Sequence, residues 1–275
     1  MTQLHDPGLP AGLVFLKLGG SLITVKDRPH TAKVETIQRL AGEIAAAKEI
    51  QPDLHLLLGH GSGSFGHIPA QRYGTRRGVH TAEQWHGFIE VWREATVLNR
   101  IVMDALAKAG LPAISFPPSA SLSASNGQTT DWNLEPLISA LRAGLLPVIY
   151  GDVIFDRELG GTIFSTEDLF SALALELKPQ RILLAGIEPG VWSDYPTCKV
   201  LIEQVTPVTF PQIEASLSGS AAPDVTGGMA SKVREMLALV EAVPGLEVQI
   251  FSGEEVGTVT RTLTGEAAGT AVRRG

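Results

Sequence analysis

Leu54-His-Leu-Leu-Leu-Gly-His-Gly-Ser-Gly-Ser-Phe-Gly-His67 is the stretch on which the reading of this chain turns. Leu54 to Leu58 is a short apolar run of strand type, and it empties into a loop with glycines at 59, 61, 63 and 66. A bare turn needs one or two glycines. Four of them free the backbone for positive φ and clear away the Cβ atoms that would hold a ligand off. Successive N–H groups of such a loop converge on one point and make a nest for an anion. Ser62 and Ser64 add hydroxyl donors, and His67 closes the loop with a side chain whose charge is adjustable near neutral pH. The loop therefore reads as a phosphate grip. Gly61-Ser-Gly63-Ser-Phe-Gly66 also satisfies the G-x-G-x-x-G dinucleotide fingerprint. That fingerprint requires a helix opening at the loop, a second strand and an acidic residue about 20 residues on. Here Pro69, a polar and basic stretch from Gln71 to Arg77, and a helical pattern follow instead, so the context fails.

Upstream, Val14-Phe-Leu-Lys-Leu18 reads as a buried strand opening on Gly19-Gly20-Ser21. A lysine inside such a run is costly unless it reaches an anion or the surface. Lys17 is therefore a candidate ligand for the same anion, whereas Lys26, nine residues on, is by itself an ordinary solvated lysine. Val34, Ile37, Leu40, Ala41 and Ile44 recur at helical spacing and predict a helix over 32–48. Strand, helix and strand, with a glycine loop after each strand, imply parallel strands whose carboxyl ends gather ligands along one edge.

Downstream, Thr81-Ala-Glu-Gln84 makes a capping box for a long helix bearing Trp85, Phe88, Ile89, Trp92, Ile101, Val102 and Ala105. Such a stripe is ordinarily core; so close to the anion loop, its aromatic part is also a candidate wall for an apolar pocket. Ala113 to Phe116 reads as a strand, 117–131 as a Ser-, Pro- and Asn-rich loop, 137–141 as a helix, and Leu145 to Tyr150 as a strand ending in Gly151-Asp152. Arg157 to Gly161 reads as a hairpin turn. Ser165-Thr-Glu-Asp168 precedes a helix over 169–177, so Asp168 has a capping role open to it. Arg181 to Ala185 is a strand ending in Gly186. Ser216 to Gly228 is flexible in composition and leads, through Thr226-Gly-Gly228, into a helix over 229–243 carrying Lys232, a second candidate anion site. Leu246 to Phe251 is a strand, and Thr270 to Val272 an edge strand. The alternation predicts one α/β domain over 1–275, a three-layer α/β/α sandwich on a central, mostly parallel sheet of about eight strands. Two halves, about 13–160 and 161–275, divide the binding labour.

With 275 residues, 44% hydrophobic and 19% charged, the composition is that of a globular domain with a sizeable core. The net charge of −7 argues against a sequence-independent nucleic-acid binder and makes individual lysines informative. One cysteine, Cys198, allows neither an internal disulfide nor a cysteine-rich metal site. No apolar run approaches 18 residues and the first twelve lack a signal core, so a cytoplasmic protein is expected, without membrane partners.

Lys-x-Gly-Gly-Ser at 17–21, the glycine loop ending at His67, Gly151-Asp152, and Asp224-Val-Thr-Gly-Gly-Met229 with Lys232 stand in one order, and no P-loop occurs. In that order they resemble the amino acid kinase superfamily, over Val14 to about Val272. Within it they are most similar to the branch whose acceptor is isopentenyl phosphate. Gly-Ser-Phe-Gly-His is the most specific part, since relatives acting on carboxylates are not expected to carry that histidine. The resemblance implies ATP and Mg²⁺ as cofactors, a small-molecule phosphate as acceptor, isopentenyl diphosphate as product, and a homodimer. It implies that Lys17, Gly19, Gly20 and Ser21 hold ATP phosphates, that Gly63 also lies beside them, and that Lys26 approaches the transferred group. Gly61, Ser62, Gly63 and His67 then bind the acceptor phosphate, with Gly151 and Asp152 on its other side. Asp168 orients the lysines or the Mg²⁺ shell, Gly186 lies beside the nucleotide, and Gly228 with Lys232 reaches its phosphates. His67 is cast as a donor, because an anionic acceptor oxygen hardly needs a general base.

Two departures stand out. The family's triple glycine reads Gly61-Ser62-Gly63 here, and the acidic segment many members carry near the nucleotide reads Ala185-Gly-Ile-Glu-Pro-Gly-Val191, which leaves nucleotide preference open. The rival readings are a fosfomycin kinase or another small phosphate or phosphonate kinase, a carboxylate kinase lacking a counterpart of His67, a non-catalytic nucleotide-binding storage or regulatory protein, and a dinucleotide oxidoreductase.

Overall fold

The computed structural model describes residue 9 and residues 11–194, 197–217 and 228–275. In chain order it runs β1 (Val14–Leu18), α1 (Gly20–Ile23), α2 (Val34–Ile50), β2 (Leu56–His60), α3 (Gly63–Tyr73), α4 (Ala82–Lys108) and β3 (Ala113–Ser115). There follow β4 (Leu122–Ser125), β5 (Gln128–Trp132), α5 (Glu135–Arg142), β6 (Leu146–Tyr150), β7 (Asp152–Asp156), β8 (Gly160–Phe164) and α6 (Thr166–Leu177). The remainder is β9 (Arg181–Gly186), β10 (Val191–Trp192), β11 (Leu201–Ile202), β12 (Gln204–Val205), α7 (Phe210–Leu217), α8 (Gly228–Ala242), β13 (Glu247–Ser252), α9 (Thr258–Leu263) and β14 (Thr270–Val272).

Eight strands form the central sheet in the order β12-β14-β13-β9-β1-β2-β6-β3. Neighbours are parallel except β13 and β14, so the expected mostly parallel sheet is present. Both faces are covered, and successive residues along a strand serve opposite cores. Phe15, Leu57, Ile149, Ile182 and Leu184 pack on one face with α5, α6 and α8. Leu16, Leu58, Val148 and Leu183 pack on the other with α2, α4 and α9. Burial on both sides is why these strands read as continuous apolar runs rather than alternating ones. The chain moves outward from β1 through β2 to β6 and later returns to β9 on the other side of β1. The crevice at the carboxyl end of β1 is therefore the topological switch point, where such sheets bind ligands.

Several expectations need correction. The strand expected over 54–58 lies two residues later, and Gly59 is inside it; a Cβ there would lie 2.6 Å from Thr166 Cγ2 and 2.7 Å from the Phe170 ring. That glycine serves helix packing. A helix does open at the glycine loop: α3 starts at Gly63 and runs through Pro69. The dinucleotide fingerprint still fails, since another helix, α4, follows where its second strand belongs. The stretch 117–131, expected as a loop, contains a hairpin. Leu122 and Ala124 turn inward from β4, Ser125 pairs with Gln128, and the two residues between them, Asn126 and Gly127, have φ of 50° and 72°. An Asn-Gly pair with both φ positive is the turn that matches the twist of a two-stranded ribbon. β4 and β5 join β7 and β8 in a separate four-stranded sheet in the order β5-β4-β7-β8. Thr270–Val272 is not at the edge, because β12 lies outside it.

Candidate active site

A cavity of about 340 Å³ opens at the switch point, within the usual size range of ligand pockets. Its floor consists of the glycines that follow four parallel strands or end one of them: Gly19, Gly61, Gly151 and Gly186. Each loop is stitched to its neighbour by backbone bonds. Gly19 N donates to Ala185 O (2.8 Å), Gly61 N to Leu18 O (3.0 Å) and Gly151 N to His60 O (3.1 Å). The first two loops also touch backbone to backbone. A Cβ on Gly20 would sit 2.6 Å from Gly63 N, and one on Gly61 would sit 2.8 Å from Gly20 N. Gly63, at φ 48°, is buried against Thr24, whose Oγ1 would lie 2.1 Å from its Cβ. It is not on the cavity wall among Gly61, Ser62, Gly66 and His67, and the packing shows it in close contact with the neighbouring loop.

The cations converge as expected, but around a different carboxylate. Lys17 is buried, and its Nζ lies 2.7 Å from Glu167 Oε1; Lys232 reaches the same oxygen at 3.7 Å. Burial alone would push Glu167 up, but Lys17 first and Lys232 next outweigh it and hold the carboxyl at about 2. Lys26 lines the cavity from the loop after α1. Asp168, expected to orient the lysines or the Mg²⁺ shell, is engaged by its helix cap and by an arginine. Ser165 caps α6, its hydroxyl accepting from Asp168 N, while Asp168 Oδ2 accepts from Ser165 N at 2.7 Å. The same Asp168 Oδ2 also meets Arg76 at 3.1 Å. Arg76 lines the cavity and is a further cation that the sequence reading did not single out.

Three acceptor-side expectations sort differently. His67 and Ser62 line the cavity from α3 and the residue preceding it. Asp152 does not: it is wholly buried and faces away, accepting from Val153 N at 2.8 Å and from Ser119 N at 3.3 Å. Burial raises its pKa to about 6 against those hydrogen bonds, and pushes Tyr150 beside it up to about 12. Gly151 alone of that pair reaches the cavity. The aromatic stripe of α4 divides: Phe88 is buried with Val79, Val91 and Val153, Trp85 is half-buried, and both pack on Phe155 at ring separations of 5.2 and 6.1 Å, whereas Ile89 and Trp92 are exposed. Only Val91 of that helix lines the cavity, joining Ala70, Ile163 and Phe164 in an apolar wall.

At the other end the wall is formed by Gly186, Ile187, Glu188, Gly190 and Trp192, with Gly228, Met229 and Lys232 from the start of α8. Trp192 Nε1 donates to Glu188 Oε2 at 3.0 Å. Ser21 and Gly20 complete the rim near β1. The expected anion loop before α8 falls partly outside the described residues, since 218–227 are not described. Among the described residues no helix is long and apolar enough to cross a membrane.

The amino acid kinase family model matches residues 12–252. An isopentenyl phosphate kinase of Methanothermobacter thermautotrophicus is 34% identical over 261 residues, 92% of this chain and 96% of that protein. That of Methanocaldococcus jannaschii is 32% identical, with 94% and 98% covered. A solved structure of isopentenyl phosphate kinase superposes with a TM-score of 0.78 at 32% identity, over 94% of this chain and 99% of that one. A substrate complex of isopentenyl phosphate kinase gives 0.75 at 27% identity, over 94% and 100%.

Proposed function

We propose a function from one premise: the chain belongs to the amino acid kinase family. It is a phosphotransferase that moves the γ-phosphoryl group of ATP to isopentenyl phosphate, giving isopentenyl diphosphate. The observation that carries this reading is the meeting of Lys17, Lys26, Lys232 and His67 with the glycine ends of the strands around one cavity. Phosphoryl transfer has a loose transition state with charge spread over three oxygens, so positioning and fixed cations supply most of the catalysis. Both reactants here carry phosphate, and the lysines offset their mutual repulsion. On this reading Lys17 and Lys232, bridged by Glu167, grip the ATP phosphates with Gly19, Gly20, Ser21 and Gly228. Lys26 meets the transferred group, and Gly186 lies beside the nucleotide. Gly61, Ser62, His67 and Gly151 take the acceptor phosphate. Since that phosphate already presents an anionic oxygen, His67 donates a hydrogen bond and a general base is superfluous. The Ala70, Val91, Ile163 and Phe164 wall supports an acceptor with an apolar tail over fosfomycin, whose carbon part is small and polar.

Mg²⁺ belongs to the proposal as the nucleotide's own ion, which typically keeps several waters and is held largely through phosphates. Among the described residues no group of three or more His, Cys, Asp or Glu is placed to hold a metal. The cavity's carboxylates, Glu167 and Glu188, are engaged by lysines and by Trp192. A cytoplasmic homodimer, and an acceptor half over about 13–160 ahead of a nucleotide half over about 161–275, complete the proposal.

The test is ADP release from ATP and Mg²⁺ with isopentenyl phosphate, fosfomycin and N-acetylglutamate in parallel. Turnover with isopentenyl phosphate alone is expected. Turnover with fosfomycin alone would refute the acceptor, and ATP binding without turnover on any of the three would favour a regulatory protein.

A further inference from the structure

Behind the acceptor loop lies a buried polar group to which the reaction gives no role. His60 ends β2 immediately before Gly61 and is fully buried, its ring stacked on Tyr150 at 5.5 Å. Nδ1 lies 3.1 Å from the Gly61 carbonyl oxygen and Nε2 lies 3.2 Å from Asn99 Oδ1. The Asn99 amide nitrogen is 2.9 Å from Ser115 Oγ. The His60 carbonyl ties two further parts of the site together, accepting from Thr166 Oγ1 at 2.6 Å and from Gly151 N at 3.1 Å.

A neutral imidazole has one N–H, yet here both ring nitrogens face oxygens. An imidazolium would satisfy both, but burial foremost, and Lys17 as well, disfavour the charged ring. A proton on Nε2 would serve Asn99 and leave the Nδ1 lone pair against the Gly61 carbonyl. A proton on Nδ1 satisfies every atom once the Asn99 amide is turned about, its nitrogen donating to Nε2 and its oxygen accepting from the Ser115 hydroxyl. Amide orientation is assigned from such a network, so this is the arrangement the chemistry selects.

We propose that His60 is a positioning residue for the acceptor loop: its Nδ1–H, held in that tautomer by Asn99, fixes the Gly61–Ser62 peptide. Across a trans peptide the carbonyl and the following N–H point opposite ways. A Gly61 carbonyl drawn back to the buried ring therefore turns the Ser62 N–H toward the cavity that Ser62 lines. Glycine at 61 lets this peptide flip at little cost, so an anchor is needed. The inference rests on reading this loop as the acceptor-phosphate site.

The test uses the full chain with ¹⁵N-labelled histidine. Long-range ¹H–¹⁵N spectra of the wild type near pH 7.5 are expected to show a protonated Nδ1 and an unprotonated Nε2 for His60. Asn99→Asp, which as a carboxylate accepts only, should shift the proton to Nε2. It should weaken inorganic phosphate binding and raise the KM for isopentenyl phosphate about tenfold, the loss of one donor to a charged group, leaving the KM for ATP unchanged. A wild-type ring protonated at Nε2 overturns the inference alone. So does an Asn99→Asp chain with a shifted proton and an unchanged acceptor KM, or one whose two KM values rise together, as loosened structure would cause. An Nδ1–H ring in a wild type that binds ATP but no phosphate overturns the functional reading, and with it the role of His60.

Discussion

Replacing Glu167 by Gln tests the charge arrangement at the heart of the cavity. The carboxylate is nearly inaccessible and sits 2.7 Å from Lys17 and 3.7 Å from Lys232. Its pKa falls from 4.5 to about 2 despite burial, because the two ammonium groups outweigh the desolvation. At 1.36 kcal/mol per unit, that corresponds to about 3 kcal/mol of stability at neutral pH. The same order is expected for removing one partner of a buried ion pair. A carboxyl lowered in the folded state contributes stability that is fully present above its unfolded value of 4.5 and is lost as pH falls toward about 2. Glu167→Gln should therefore lower Tm by about 6–12 °C at neutral pH, taking 2–4 °C per kcal/mol for a chain of this size. It should also flatten the acid limb of the stability profile between those two values. ATP should stabilise the variant more than the wild type, since its phosphates supply the negative charge the two lysines have lost. Misplaced lysines should cut kcat by about 10²-fold. Thermal unfolding by circular dichroism, with and without ATP across pH, reads all but the last of these. A Tm within about 1 °C of wild type, or an acid limb as steep as before, would refute the reasoning.

The remaining expectations are narrower. Lys26→Ala should lower kcat with little change in either KM, while His67→Ala should cut kcat/KM for the acceptor by about 10- to 100-fold, the worth of a donor to a charged group; steady-state kinetics with each substrate varied separates them. Asp152, raised from 3.8 to about 6, contributes stability that is present below 3.8 and lost as pH rises through about 6. Asp152→Asn should remove that decline, seen as a flatter denaturant midpoint across the window, and leave the acceptor KM alone because the side chain faces away from the cavity. Phe88→Ala should cost about 3–5 kcal/mol as a core truncation and leave the acceptor KM unchanged, whereas a pocket-wall aromatic would raise it; urea titration and kinetics on the same sample decide.

Much of this was legible because burial makes unusual residues conspicuous. Lys17 stands in an otherwise apolar five-residue strand, where a solvated lysine has no place, so an anion partner could be inferred from the residue type alone. The capping box at Thr81 and Gln84 is a local code, and it is realised as written. The glycines after successive strands announced parallel strands with a shared ligand edge, since backbone contact at a switch point tolerates no Cβ. The hairpin over 122–132 was legible too, through Asn126-Gly127, but its flanking strands are short and largely polar. β5 is almost wholly exposed, so no hydrophobic alternation accompanies the turn.

Glu167 went unread for a different reason, and the sequence held the means to find it. Ser165 followed three residues later by an acid is a capping box, whose acidic side chain turns back to the N-cap N–H. Asp168 Oδ2 is engaged there, and by Arg76. Adjacent helical residues point about 100° apart, so when Asp168 faces its cap, Glu167 must face elsewhere. α6 packs beside β2, where Gly59 lets Thr166 and Phe170 approach, and the first turn of the helix thus abuts the strand ends. A second acid in that turn has either solvent or the cavity before it, and the buried Lys17 requires an anion nearby. The cap and the lysine together select Glu167, a deduction that needs two constraints from strands and helices far apart in the chain. Asp152 was the reverse case. Its place after Gly151 suggested a ligand, but it is the first residue of β7, and strand alternation turns its side chain into the interior toward Ser119. A carboxylate at a strand end is thus a ligand only when the next element leaves it facing the crevice, and which way β7 would turn depended on the hairpin sheet that the polar stretch before it concealed.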